Sequence, residues 1–390
     1  MVAERQVIEL CRELVRIPSL PREEREVAEA ICRHMLGAGF DETWIDDMGN
    51  VVGRVGTGAG PRVLFDGHMD TVGVSDPAAW HHDPFGGDVV GGRLYGRGSS
   101  DMKGALAAMI VAAGSLGSGR HRLKGTVYVS ATVCEELVEG PGLGRVIEQV
   151  CPDGVVIGES TGLALYIGQR GRAELVLEVQ GVPAHSSTPH LGVNAVRHLA
   201  ALLPAIDSLP MTEDPLLGPT LIELTDIISR PYPGISVVPD LCRATFDRRL
   251  LVGETLEGIV AQLAEACAAD ATRARAHTRV SLAEARFTTY TGYEVAVPKF
   301  APAWKTPEDH PLVKSAQVGL AAAGLGVRLG AYGFCTNGSY SAGKYNIPTI
   351  GFGPADEAQA HTVDEYVEIG ALLAATRGYR SIAAAVCGGG

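Results

Sequence analysis

The sequence predicts an α/β protein in which a sheet domain is interrupted by a smaller α+β unit. Three observations carry this expectation. Short apolar strands alternate with helices up to about Arg170, and the alternation resumes after about Pro298. Several of these strands end in acidic residues or histidine, as in an open sheet whose site runs along its carboxyl edge. Between the two stretches the pattern changes to a period of two. Leu175, Leu177 and Val179 alternate with Glu174, Glu178 and Gln180, the signature of a half-buried antiparallel strand.

Two helices open the chain. The first is amphipathic, and charges run through it, so it does not read as a signal peptide. The second follows "IPSLPREE", with Ser19 and Pro21 as start signals, and stops at "GAGF". "NVVGRVG" and "RVLFDGH" read as strands, and "DMKGALAAMIVAAGSL" as an apolar helix directly after Asp101. "GTVYVSATVCEE" is a strand ending in two glutamates, and "DGVVIGES" ends in one. From "AELVLEVQ" onward the order is strand, helix from about Val193, strand "TLIELTDII", strand "CRATFDRRL", helix from about Glu254, and a strand near "RVSLAEARF". This β-α-β-β-α-β order is ferredoxin-like. Helix "HPLVKSAQVGLAAAG", strand "IPTIGFG" and a terminal helix complete the first domain. The tail Gly388-Gly389-Gly390 is expected to be disordered. The expected division is therefore 1–170 with 299–390, and 171–298 for the insertion.

Composition narrows the function. Acidic residues exceed basic ones, 45 against 33, for a formal charge of −12. This argues against a nucleic-acid surface. No apolar run is long and charge-free enough to span a membrane. Eight cysteines are scattered without a C-x-x-C pair, which argues against a cysteine zinc knuckle and reads as reduced cytoplasmic thiols.

The polar residues at the expected strand ends are His68, Asp70, Asp101, Glu135, Glu136 and Glu159. His361 joins them, just before a helix start inferred from a capping box of Thr362 and Glu365. His68 and Asp70, two apart on an extended segment, point the same way. The pair alone reads equally as a metal site or as a histidine capped by an aspartate. A lone glutamate at a strand end is usually a solvated rim group. Seven such residues on one edge are not explained that way, because crowded carboxylates take up protons or bind metal. Imidazole with carboxylate suits Zn²⁺, with Co²⁺ or Mn²⁺ as alternatives, and a shared carboxylate gives a two-metal site.

With "GHMDTV", "GRGSSDMKG", "CEE", "GES", "GQRGRAELVLEVQGVPAHSS", "FDRR" and "AHTVDE", nearly the whole chain resembles a known family. It is the dinuclear-zinc amidohydrolase and peptidase family of aminoacylase, acetylornithine deacetylase, succinyl-diaminopimelate desuccinylase and a bacterial glutamate carboxypeptidase. "GQRGRAE", "CTNG" and "IPTIGFGP" resemble most closely the branch linked to selenium metabolism. The resemblance implies a three-layer α/β/α metallohydrolase domain with an inserted ferredoxin-like lid that also serves dimerisation. It implies two zinc ions per chain. His68 and Glu159 would hold one, Glu136 and His361 the other, and Asp101 would bridge both. Asp70 would hydrogen-bond His68, and Glu135 would be the general base. Glu135 and Glu136 cannot both reach the site from a regular strand, so the strand is expected to end before them. The Asp101–Met102 peptide is expected to be strained or cis, as in relatives. His185 would enter the partner's active site and stabilise the oxyanion. Arg248, favoured over Arg249, would grip a substrate carboxylate; its alternative role is a structural salt bridge. Asn337 and Gly338 would line the pocket.

The implied reaction is cleavage of the amide bond of an N-acyl amino acid or small peptide by a metal-activated water. The alternatives are a dipeptidase or carboxypeptidase, and a non-catalytic metal-binding protein on this fold. The chain also departs from its relatives. Ser236 stands where many have Asn before "V-V-P". Ser339 stands where desuccinylases carry an arginine, which argues against their substrate. Cys134 and Cys335 lie near site residues in sequence, but neither has a dedicated His–carboxylate pair that would make it a nucleophile.

Overall fold

The computed structural model describes residues 2–117, 123–268 and 276–388. The chain divides into two compact units. One comprises Met1–Gln169, Arg286–Val295 and Trp304–Gly390, the other Arg170–Ala285 and Ala296–Ala303. Residues 286–295, which the sequence reading places in the insertion, thus belong with the first unit. Tyr290 is the anchor: its hydroxyl donates to Gly49 O, and Arg25 donates to its carbonyl.

The first unit begins with α1 (Val2–Val15), α2 (Arg25–Gly37), β1 (Glu42–Ile45), β2 (Val51–Val55) and β3 (Arg62–His68). It continues with the short strands β4 (Asp88–Val90) and β5 (Arg93–Tyr95), then α3 (Gly104–Gly117), β6 (Thr126–Thr132), α4 (Pro141–Val150), β7 (Gly154–Ile157) and β8 (Leu165–Gln169). Ser19 does not start α2. Its hydroxyl donates to Met69 O at the end of β3, and α2 begins after Glu24 without a side-chain cap. Residues Gly104–Gly114 of α3 are all buried, as expected of a helix that is apolar all round.

The second unit contains β9 (Gly171–Gln180), α5 (Ala195–Asp207), β10 (Leu221–Arg230), β11 (Leu241–Leu250), α6 (Leu256–Ala268) and β12 (His277–Leu282). Its main path runs β10-β11-β9-β12, every neighbour antiparallel. This is the expected ferredoxin-like topology. The inward residues Leu175, Leu177 and Val179 pack with Leu199 and Leu202 of α5 and Ile259 and Leu263 of α6. Asn194 caps α5 by accepting from Arg197 N. Among the described residues β10 pairs with β11 alone, and Ile227 and Ile228 on it are exposed.

The chain then returns to the first unit as β13 (Trp304–Lys305), α7 (Pro311–Ala322), β14 (Leu329–Tyr332), β15 (Thr349–Gly351), β16 (Tyr366–Glu368) and α8 (Ile369–Cys387). The large sheet runs β1-β2-β6-β3-β7-β15-β8-β13, with β14 beside β8. Its centre is parallel: β3 lies between β6 and β7 in parallel register. The carboxyl ends of these three strands therefore share one edge. Gly388 caps α8 in the left-handed region, and its N–H reaches Ala384 O; Gly389 and Gly390 lie outside the described residues. Among the described residues, no helix is long and apolar enough to cross a membrane.

Candidate active site

The parallel edge delivers most of the expected residues. β3 ends on His68. β6 ends at Thr132, and Cys134 takes a left-handed φ of 56°, so Glu135 and Glu136 leave strand geometry before they reach the site. β7 ends at Ile157, with Glu159 two residues on. A Cβ at Gly158, just before it, would displace the terminal methyl of Met109. Asp101 lies in a tight turn leading into α3, and the Asp101–Met102 peptide is cis.

These side chains converge. Asp101 divides its oxygens: Oδ1 lies 3.0 Å from His68 Nε2, and Oδ2 lies 3.2 Å from His361 Nε2. His361 Nε2 is also 3.1 Å from Glu136, and His68 Nε2 is 3.6 Å from Glu159. Donor atoms of His68, Glu135 and Glu159 lie within 4.8 Å of one another, as do those of His68, Asp101 and Glu136. Two imidazoles and four carboxylates at this density fit divalent ions with nitrogen and oxygen preferences.

The electrostatics point the same way. Burial holds the carboxyls of Glu135 and Glu159 well above the usual range. His68 opposes the shift at Glu135, while the Asp101 charge adds to it at Glu159. Burial would lower His68, but its bond to Asp101 and the nearby charges of Asp70, Glu135 and Glu159 outweigh that and raise it. His361 is lifted to about 10 by Asp101 and Glu136. Burial would raise Asp101 as well, yet the two histidines hold it far below its ordinary value. The cluster thus draws positive charge to itself, as protons or as cations.

Asp70 acts differently from the expected carboxylate–imidazole bond. His68 Nδ1 donates to the backbone carbonyl of Asp70 at 2.9 Å, and the nearer carboxylate oxygen is 3.6 Å away. Nδ1 thereby carries a proton, and Nε2 is the nitrogen turned toward the cluster. The Asp70 carboxylate instead accepts from Glu135 N (3.1 Å) and Glu136 N (3.0 Å), so it shapes the turn that presents both glutamates.

Two further buried acids brace the site, and sequence reasoning missed both roles. Glu24 accepts from the backbone N and the thiol of Cys134, beside Glu135. Glu365 accepts from the backbone of Ser100 and Asp101. The capping box read at Thr362 and Glu365 is therefore incorrect. No helix starts there, and Thr362 Oγ1 donates back to Gln359 O. The available signal was an acidic residue within a motif, four positions after a predicted ligand.

Glu24 gives a pH prediction. Burial, reinforced by the Asp70 charge, pushes its carboxyl from 4.5 to about 7. A raised carboxyl binds its proton more tightly when folded, so this stability is present at low pH and lost as pH rises from 4.5 to 7. The loss is on the order of 3 kcal/mol. Thermal melts of wild type and Glu24→Gln should shift in favour of the variant across that window and run parallel above it. Parallel melts throughout would show that Glu24 is not shifted.

The remaining expected residues fall elsewhere. In the second unit, His185 is exposed, and its Nδ1 accepts from Ser187 N at 3.1 Å, which leaves the ring proton on Nε2. Arg248 is buried, with Nη2 2.6 Å from Glu254; its Nη1 has no partner among the described residues. Asn337 is not free to meet a ligand. Its Nδ2 donates to Asp66 and Thr132, and its Oδ1 accepts from Gly140 N. Gly338 N donates to Thr336 Oγ1, and a Cβ at Gly338 would lie 2.9 Å from the Trp304 indole nitrogen. Both positions belong to buried packing. The Ser339 hydroxyl likewise turns inward to Thr336 O. Burial and the neighbouring Glu24 push the Cys134 thiol far up, which makes it a poor nucleophile.

With the geometry in view, comparison with known proteins is decisive. The model of peptidase family M20/M25/M40 matches residues 64–385. The chain belongs to this family. It is a metal-dependent amide hydrolase of the M20 class. Escherichia coli YgeY, an uncharacterized protein, is 35% identical over 362 residues, which cover 91% of this chain and 88% of YgeY. The succinyl-diaminopimelate desuccinylase of Rhodospirillum centenum is 30% identical and covers 96% of both chains. Among solved structures, aminopeptidase PepT of Bacillus cereus superposes with a TM-score of 0.76 at 20% identity, covering 98% of both chains. The Bacillus subtilis YXEP protein, described as a dinuclear metal-binding peptidase of the M20 family, superposes at 0.74 with 15% identity, over 100% of this chain and 99% of that one. These two superpositions establish the shared M20 fold.

Proposed function

We propose that this M20 member is a dinuclear zinc amidohydrolase that removes the acyl group from an N-acyl amino acid or cleaves a small peptide. The observation that carries the reading is Asp101, whose two oxygens face separate histidines, His68 and His361. A carboxylate so divided suits two ions, one toward His68 and Glu159, the other toward Glu136 and His361. When bound, the ions polarise the scissile carbonyl and acidify a water. Glu135 takes the proton from the attacking water and returns it to the leaving amine. Its burial raises its proton affinity. Asp70 holds the Glu135 turn in place. His185, with its proton on Nε2, donates to the developing oxyanion of a partner's site. Arg248 receives the substrate carboxylate on its unpaired Nη1 while Glu254 holds Nη2.

The exposed edge of β10, with Ile227 and Ile228, supports a homodimer through the second unit. All eight cysteines are free, which supports a cytoplasmic protein. The inward-facing Ser339 offers no counterpart to a substrate-binding arginine, so the diaminopimelate substrate is disfavoured. The second reading, a dipeptidase or carboxypeptidase, uses the same residues. A non-catalytic metal protein would have no use for Glu135.

The test is a panel of acetyl-, succinyl- and formyl-amino acids and dipeptides, assayed with added Zn²⁺, Co²⁺ or Mn²⁺. Elemental analysis should find up to two ions per chain. Chelation should abolish turnover, and metal return should restore it. Because the site holds protons that cations displace, uptake should release protons and weaken as pH falls. A protein without transition metal, turning over despite chelator, would refute the reading.

A further inference from the structure

We infer that Glu365 is a positioning residue that ties Asp101 to the His361 loop and thereby sets the ion position on the His361 side. The inference rests on the two-ion reading above. Glu365 is wholly buried, yet it is neither an expected ligand nor part of a helix cap. Both of its carboxylate oxygens and its carbonyl accept from one neighbouring segment. Oε1 accepts from Ser100 N at 2.8 Å and Asp101 N at 3.1 Å. Oε2 accepts from Arg97 Nη1 at 2.6 Å, and the Glu365 carbonyl accepts from Gly96 N at 2.8 Å. Below these contacts the two segments run as a ladder: Tyr366 pairs with Tyr95, Val367 with Leu94 and Glu368 with Arg93.

The consequence is geometric. His68 ends a central strand and Glu159 follows one, so the sheet holds them in place. His361 and Asp101 lie on two irregular segments outside the large sheet, and His361 itself sits at φ 62°. Glu365, four residues after His361, joins these segments immediately beside Asp101. Its loss should leave the His68–Glu159 pair in place and let His361 drift relative to Asp101 Oδ2. Arg97 completes the brace. Its guanidinium stacks over Trp80 at 5.3 Å and clamps the second oxygen of Glu365. Arg97 thereby compensates the buried charge, while the two amides set the position of Oε1.

The experiment is stepwise Zn²⁺ titration of metal-free protein by calorimetry, with Co²⁺ absorption spectra as a second readout and melts of the metal-free form as control. Glu365→Asp keeps the charge for Arg97 but draws the carboxylate back by one methylene. Expected is a 10–100-fold weaker second ion, with the first step far less affected. The Co²⁺ spectrum of the second ion should change. If the Asp variant does not fold, the double variant Glu365→Gln/Arg97→Leu serves instead. It removes the buried charge pair together and keeps an oxygen facing the two amides, so it should retain the second ion. An unchanged second step in Glu365→Asp, or equal weakening of both steps, would overturn the inference, as would loss of the second ion from a folded double variant. Wild type that binds fewer than two ions would instead fail the two-ion reading itself.

Discussion

Replacement of Glu135 by Gln should lower kcat by at least ~10²-fold while the protein keeps its metal. Gln has the size and hydrogen-bonding outline of Glu but no basicity. The Glu135 carboxyl is buried and lies beside His68 and Glu159, so it can exchange a proton at the centre of the cluster. The backbone of Glu135 stays anchored on Asp70, so the turn is expected to survive the change. Glu136→Gln is the contrasting variant. Glu136 approaches His361 Nε2 at 3.1 Å, and its loss should weaken metal binding first, with activity falling as a consequence. Metal content and single-turnover rate, measured on both variants, separate the two roles. Near-normal kcat in Glu135→Gln would show that another group moves the proton.

Loss of His185 should cost ~10²–10³-fold in kcat, the scale of one oxyanion donor. The more telling result comes from mixing. His185→Ala and Glu135→Gln chains are each expected to be strongly impaired, and exchange of subunits should restore activity. In the mixed dimer the site with intact Glu135 lies on the His185→Ala chain and receives His185 from its partner. One working site per heterodimer should appear, bringing activity toward half of wild type per dimer. A histidine acting within its own chain would leave every site defective. Subunit exchange, verified by mass, without recovery of activity would rule out the trans arrangement.

Much of the site was legible because it lies on the parallel edge, where chain order and spatial order are linked by strand ends. His68, the Glu135–Glu136 pair and Glu159 are read from apolar runs that stop at a polar residue. The adjacency of the two glutamates even required the strand to end early, and β6 does end at Thr132. The ferredoxin-like insertion was legible for a similar reason. The period-two alternation in β9 and the order of elements leave few topologies.

What the sequence could not settle were contacts between segments far apart in the chain. Thr362 and Glu365 have the spacing of a helix cap, but the pairing of β16 with β5 brings the Glu365 carboxylate to the amides of Ser100 and Asp101 instead. Asp70 was expected to hydrogen-bond His68 through its side chain, but its backbone carbonyl does so, and its carboxylate goes to a turn 65 residues away because two unpaired N–H groups are buried there. Asn337 reads as a pocket residue by its motif and is consumed by Asp66, Thr132 and Gly140. The sequence alone determined which residue types stand at the strand ends, and hence the class of chemistry. Only the tertiary structure decided which buried N–H and carboxylate groups pair with one another. Such pairing depends on which distant groups the fold leaves without a partner, and local sequence carries no record of that.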